Sequence, residues 1–308
     1  MRMRKSIVAI LLLVVALSAS AQEFNTHWIY APQSDSLSHI WFRRAYISNG
    51  RPRQALITVA STGNFKLYIN ECNIGTAAFF PSRHNGDTSP AAITFNVTPY
   101  LRRDTNVVAI VYSPEQPSLN RKQISVCIYG ISRDGKRFSH TSDKSWICRL
   151  ANSQMTADGG EIVDGLAHDP TWKAATCTSA ALWLNAKTFY GNKAQSMTIS
   201  PNGYNAWKIK KVTSLNNLHI TQNPVLLPLA KNYWGYIRLT LREAKRGEKI
   251  QIGKLTYICN GKMDEQAYPL FTINSFNTLS VSGDNKFSPA HIIGADIIEM
   301  SETWFNDF

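Results

Sequence analysis

The chain has 308 residues, of which 44% are hydrophobic and 18% charged, and its 33 Lys and Arg outnumber 21 Asp and Glu for a formal net charge of +12. That apolar content excludes a disordered chain, and the length suits two ordinary β-sandwiches or one large domain. The cations are spread out, with small groups at Arg102-Arg103, Lys208 to Lys211 and Lys245-Arg246, which match no nucleic-acid module and favour acidic partners instead.

Met1 to Ala21 carries a basic start (Arg2, Arg4, Lys5), an apolar run from Ile7 to Leu17 and Ala19-Ser20-Ala21 before Gln22. This predicts a secretory signal peptide cleaved after Ala21, because the run is too short to span a bilayer. The expected location is periplasmic or extracellular, with no membrane span left after cleavage.

Short β-branched and aromatic segments follow: Ala55 to Ala60, Phe65 to Ile69, Ile93 to Val97, Asn106 to Tyr112 and Ile124 to Tyr129. Turn residues separate them at Thr62-Gly63-Asn64, Asn73-Ile74-Gly75 and Asp134-Gly135. Ala180 to Tyr190 is the one segment that fits a short helix, and polar Gly191 to Tyr204 reads as a join between two sandwiches. Strands resume at Tyr236 to Leu241, Ile250 to Leu255, Leu255 to Cys259 and Thr278 to Val281, the last two read as a hairpin, with Asn260-Gly261 as a tight turn and Pro269 and Gly283 as punctuation. The fold class predicted is all-β: tandem β-sandwiches, the first a galactose-binding-like jelly roll. The expected division is 1–21 for the signal peptide, 22–178 for the first sandwich and 179–308 for the second.

The chemistry-bearing residues exclude several enzyme classes. No G-x-S-x-G elbow is present, and the seven histidines lack H-E-x-x-H spacing. Asp264 and Glu265 are adjacent, so on a strand they point to opposite faces and cannot flank one glycosidic bond. Cys72, Cys127, Cys148, Cys177 and Cys259 show no C-x-x-C spacing, which suits small buried hydrophobes; Cys127 with Cys148 is the least implausible bridge. Asp158, Glu161, Asp164 and Asp169 put several hard oxygen donors within a dozen residues, a set able to hold calcium, although a solvated loop is the plainer reading. Trp172, Trp183, Tyr190, Trp207 and Trp234, with Tyr204 and Tyr233, concentrate in the second half and offer faces on which a pyranose can stack.

Three groups of residues also resemble a known family. Trp41-Phe42-Arg43-Arg44, Leu67-Tyr68-Ile69-Asn70 with Gly75, Phe95 to Leu101 and Asn106 to Ala109 resemble the jelly roll at the start of many β-sandwich-bearing glycoside hydrolases. Ser142, Ser145, Trp146, Gly160, Glu161, Asp164 and Trp172 are similar to a segment of α-L-rhamnosidases, departing at Gly165 and Leu166, where that family has Ala and Arg. Tyr257, Gly261, Asp264, Glu265, Tyr268, Pro269, Phe271, Thr272 and Phe276 resemble the sandwich just before its helical catalytic barrel.

The resemblance implies the ancillary modules of a bacterial α-L-rhamnosidase-type glycoside hydrolase, with Phe308 falling about where the barrel carrying the catalytic acids begins. The expected function is a secreted non-catalytic carbohydrate-binding or accessory protein in polysaccharide utilisation. Its ligand would be an oligo- or polysaccharide, rhamnose-containing or acidic, with no required cofactor and calcium allowed. Two alternatives stand beside it: a residual α-L-rhamnosidase-type hydrolase or one completed by a partner, and an interaction module docking to a separate glycosidase subunit.

Overall fold

A computed structural model describes residues 27–81, 91–114, 122–177, 182–189, 198–199, 204–215 and 222–305. The first half supplies β1 (Trp28–Tyr30), β2 (Ser38–Ile47), β3 (Gln54–Ser61), β4 (Asn64–Ile69), β5 (Cys72–Asn73), β6 (Ala91–Asn96), β7 (Thr105–Ser113), β8 (Gln123–Ile131), β9 (Arg137–Thr141), β10 (Ile147–Met155) and β11 (Glu161–Asp164). The second supplies β12 (Leu184–Asn185), β13 (Lys187–Phe189), β14 (Thr198–Ile199), β15 (Tyr204–Ser214), β16 (Val225–Arg242), β17 (Lys249–Ile252), β18 (Leu255–Ile258), β19 (Asp264–Ala267), β20 (Asn274–Gly283) and β21 (Ile292–Phe305). Among the described residues there is no α-helix, so the all-β expectation holds.

One sheet runs β13-β1-β8-β3-β6-β14 with β9 beside β8. The other runs β15-β21-β16-β20-β17-β18-β11-β10-β2-β7-β4-β5, with β12 beside β10 and β19 beside β16. The first sandwich packs Ile29, Ile57, Ile93, Phe95 and Val126 of one sheet against Ile40, Phe42, Phe65, Leu67 and Ile110 of the other. β4 reads Asn-Phe-Lys-Leu-Tyr-Ile, and its Phe65, Leu67 and Ile69 face that core. Period two therefore sends Lys66 and Tyr68 to the opposite face. That face is covered too. Trp41 of β2 and Val107, Ala109 and Val111 of β7 pack with Trp172, Trp183 and Phe271, which is why β2 and β7 read as continuous apolar runs.

The second core gathers Leu239, Leu241, Ile250, Ile252, Leu255, Tyr257, Leu279 and Val281. β16 is 18 residues long and serves two sets of neighbours, β20 along its first part and β21 and β19 along its last.

The two halves share a sheet through β11. It forms an antiparallel hairpin with β10 and pairs in parallel with β18, Glu161 opposite Leu255 and Asp164 opposite Ile258. A Cβ on Gly160 would stand 2.3 Å from the Lys254 carbonyl oxygen, and one on Gly165 would stand 2.7 Å from that of Ile258. Side-chain-free backbone at both ends lets β11 dock against β18. The glycine at position 165 thus has a steric reason of its own.

Several expectations need correction. Within the expected helix, Leu184–Asn185 and Lys187–Phe189 form β12 and β13, because pairing with β10 and β1 overrides a weak local pattern. β14 pairs with β6 and β15 with β21, so the change of sheet falls between Ile199 and Tyr204, within the stretch read as a join. The expected strand Ile250 to Leu255 is broken at Gly253, whose φ of +54° turns β17 back into β18. β18 does not form a hairpin with β20, since β17 lies between them. Cys127 and Cys148 lie on strands of different sheets and are not bonded to each other. Cys127, Cys148 and Cys259 are buried as expected, whereas Cys72 is exposed.

Replacing Gly160 by Ala is expected to cost roughly 1–3 kcal/mol through the backbone shift it forces. Gly294→Ala, whose new Cβ meets nothing nearer than 3.7 Å, should leave the denaturant midpoint nearly unchanged.

Candidate functional site

The joint beside β11 is built on one carboxylate. Glu161 is fully buried. It accepts N–H bonds from Leu270 (2.9 and 3.0 Å), Phe271 (3.0 Å) and Thr272 (3.2 Å), and a hydroxyl bond from Thr272 Oγ1 at 3.1 Å. Burial pushes its carboxyl above the ordinary range, against the pull of those donors and of nearby Lys66. His39, also fully buried, sits 4.0 Å from Glu161 and bonds Ser153 Oγ at 2.7 Å and Ser113 Oγ at 3.0 Å. Burial first, then Lys122 and Lys66, lowers its imidazole to about 3, so it is neutral.

Above this joint lies a cleft of about 250 Å³ between the two sandwiches. β4 contributes Lys66 and Tyr68, β10 contributes Asn152, and the loop after β11 contributes His168, Trp172 and Lys173. From the second half come Tyr257 of β18, Asn260, Gln266 of β19 and Tyr268. The loop is pinned by Asp169, which takes Thr171 N–H at 2.8 Å and Thr171 Oγ1 at 2.7 Å and lies 3.6 Å from Arg149. Trp172 stacks on Trp41 with centroids 5.2 Å apart, Trp41 also stacks with Trp183 at 6.3 Å, and Tyr68 meets Trp172 edge-on at 5.4 Å.

The lining is cationic. Lys173 Nζ lies 4.2 Å from the Tyr68 ring centroid, and Lys66 Nζ lies 5.4 Å from that of Phe271. Burial lowers Lys66 to about 8, with Glu161 opposing the shift, and burial also lowers Lys173. His168 at the rim is lowered by burial and by Lys173 and Lys262. Among the described residues the lining contains no carboxylate. Tyr257 donates its hydroxyl at 2.9 Å to Glu265, which is buried on the inner side of β19 while Asp264 faces out to Arg242. The two acids do point to opposite faces.

Of the residues singled out from sequence, Trp172 lines the cleft and Trp183 is buried behind Trp41 with Arg43 at 5.9 Å from its ring. Trp207 and Trp234 form a separate pair, 5.7 Å apart, with Trp234 42% exposed. Tyr190 lies outside the described residues. Asp158, Glu161 and Asp164 do not converge. Asp158 is in the turn before β11 and bonds Thr156, Glu161 is committed to Leu270 to Thr272, and Asp164 takes Leu166 N–H at 2.8 Å at the far end of the strand. The expectation of a solvated acidic loop therefore fails at Glu161. Among the described residues no three His, Cys, Asp or Glu side chains stand together as a metal site. Sequence reasoning missed Lys66, Tyr68 and Lys173 as site residues, although the alternation of β4 marks the first two as sharing a face.

A larger cavity, about 550 Å³, opens at the outer end of the first sandwich beside Tyr46, Ile47, Leu101, Ile128 and Phe138. Its walls are mainly apolar; Asn106 there bonds Ser48 and Ser132 bonds Asp134, while the buried Tyr46 hydroxyl has no hydrogen-bond partner among the described residues. The smaller cleft differs in holding two ammonium groups, Lys66 and Lys173, beside its aromatic rings.

No protein-family model and no curated protein sequence matches the chain. Its fold is similar to that of part of several solved enzymes. The α-L-rhamnosidase from Dictyoglumus thermophilum aligns at TM-score 0.79 and 16% identity, covering 92% of this chain and 36% of that one. The Aspergillus terreus α-L-rhamnosidase gives 0.75 at 14% identity, covering 91% and 36%. The Streptomyces avermitilis α-L-rhamnosidase, solved with L-rhamnose, gives 0.70 at 16% identity, covering 86% and 28%. The chain thus spans about a third of the length of these enzymes, and its fold is that of the matching portion.

Two outcomes follow from the joint. Glu161→Gln, which turns an amide donor toward backbone donors, should lower stability by about 3–5 kcal/mol in chemical denaturation, while Asp164→Asn should cost less than about 1 kcal/mol. His39 binds its proton in the unfolded chain near pH 6.5 but in the folded one only near 3. Stability should therefore fall as pH drops below 6.5, by on the order of 1.4 kcal/mol per unit, and His39→Gln should flatten the slope between pH 6.5 and 5.

Proposed function

We propose that this chain is an exported, non-catalytic carbohydrate-binding accessory protein, and that the cleft between its sandwiches receives the sugar. The observation that carries this reading is the lining: aromatic rings, amides and ammonium groups converge on a space large enough for one pyranose. Aromatic edges and faces supply apolar contact to C–H groups, while amides and ammonium groups supply donors to hydroxyls. Similarity of fold to enzymes that act as α-L-rhamnosidases favours a carbohydrate over other small ligands. The basic and apolar run before Gln22 supports export.

A hydrolytic reading needs two carboxylates set across a bond. The described lining offers ammonium, imidazole and amide groups in their place, which favours binding over bond cleavage. No calcium is needed, since donors for hydroxyls come from side chains already facing the cleft.

A second reading is docking to a separate catalytic subunit. It is favoured by an exposed apolar run on β16, where Leu226 is 67% exposed and Trp234 42%.

Calorimetric titration of the full chain with rhamnose-containing and uronate-containing oligosaccharides, with released sugar assayed in the same samples, tests the proposal. Saturable binding without release is expected, unchanged by a chelator and weakened at least about fivefold by Tyr68→Ala. Release of sugar would overturn the non-catalytic assignment, and absence of binding to every sugar would leave docking as the better reading.

A further inference from the structure

The two ammonium groups that face the cleft are unusual in what they lack. Among the described residues neither Lys66 Nζ nor Lys173 Nζ stands within ion-pair distance of a carboxylate or donates a hydrogen bond. Each instead rests over an aromatic ring, Lys66 over Phe271 and Lys173 over Tyr68 and Trp172. An ammonium taken from water without a carboxylate partner is costly, and a ring face offsets only part of that cost. Glu161 lies close enough to be felt by Lys66, and Glu71 by Lys173, but neither stands at ion-pair distance, and Glu161 holds its own five bonds to Leu270, Phe271 and Thr272. Lys262 stands near the rim beside His168 and adds to the same sign of charge.

A neutral sugar would leave these charges as they are. A ligand carrying one carboxylate would let both ammonium groups exchange a ring face for charge-assisted hydrogen bonds, which are the stronger contact. The cleft, at about 250 Å³, is below the usual range for drug-sized ligands and suits one ring with one anionic substituent.

We infer that the cleft selects an anionic pyranose, a hexuronate, with its carboxylate between Lys66 and Lys173 and its ring against the aromatic wall of Tyr68, Tyr257 and Tyr268. This rests on the carbohydrate reading above and adds the charge of the sugar to it. Gln266 faces the hydroxyls together with the second donor or acceptor of Asn152, whose Nδ2 also bonds Asp164 O, and of Asn260, whose Oδ1 also accepts Lys262 N–H. Salt weakens the interaction because the cleft opens to solvent.

The test is a titration of the full chain, followed by tryptophan fluorescence and calorimetry, with four probes: D-galacturonate, its methyl ester, D-galactose and acetate. D-Galacturonate should bind at least about tenfold more tightly than the ester or D-galactose, and acetate should bind more weakly than all three. Lys173→Gln, at a partly exposed position, should bring D-galacturonate down to the affinity of D-galactose measured on the same variant, and Lys173→Arg should retain the preference. Lys66→Gln serves as a second variant, read only if its unfolding midpoint matches the parent.

Equal affinity for D-galacturonate and D-galactose would overturn the charge inference and leave the carbohydrate reading standing. Acetate binding as tightly as D-galacturonate would show a bare anion site and overturn it as well. No binding by any of the sugars would sink both.

Discussion

The structure turns on a single buried carboxylate. Glu161 ends the turn that leads from β10 into β11, and its oxygens gather the N–H groups of Leu270, Phe271 and Thr272 from the other half of the chain. Three backbone donors in a buried stretch would otherwise be unpaired, at a cost of about 1–3 kcal/mol each. The same strand carries the sheet across the join through parallel pairing with β18. Covalent continuity alone would let two sandwiches swing about a linker. Here a shared sheet, a buried acid and the packing of Phe271 against Trp41 and its neighbours fix how one sits on the other.

That fixed relation is what makes the cleft. Its walls come from β4, β10 and the loop after β11 on one side and from β18, β19 and Tyr268 on the other. A site assembled from regular strands and one pinned loop is held in shape before any ligand arrives, which reduces the ordering cost of binding. The polar interior beneath it is settled as well. His39 bonds two serines and is held neutral, so Lys66 is the cation that the joint presents upward.

Much of the fold was legible because strand periodicity is a local signal. The expected segments from Ala55 to Tyr129 fall on β3, β4, β6, β7 and β8. The errors come where pairing partners decide the outcome. Leu184–Asn185 and Lys187–Phe189 are extended because β10 and β1 offer edges, and no local pattern announces that. β11 has four residues, too few to show a period, yet it joins the halves. For the site, Trp172 was legible as an aromatic but its partners were not. Lys66, Lys173 and Tyr268 are separated by up to some two hundred residues, and only the sheet order brings them together. Glu161 looked like one of several loop acids, since burial cannot be read from an acid's neighbours in sequence.

The most direct measurement of the central claim is a map of backbone amide shifts as a hexuronate is titrated into the isotopically labelled chain. The account predicts that the shifts cluster at Lys66 to Tyr68, Asn152, His168 to Lys173 and Gln266 to Tyr268. Shifts confined to the loops around Ser48 and Ser132 to Phe138, at the larger apolar cavity, would contradict it and move the binding site to the outer end of the first sandwich.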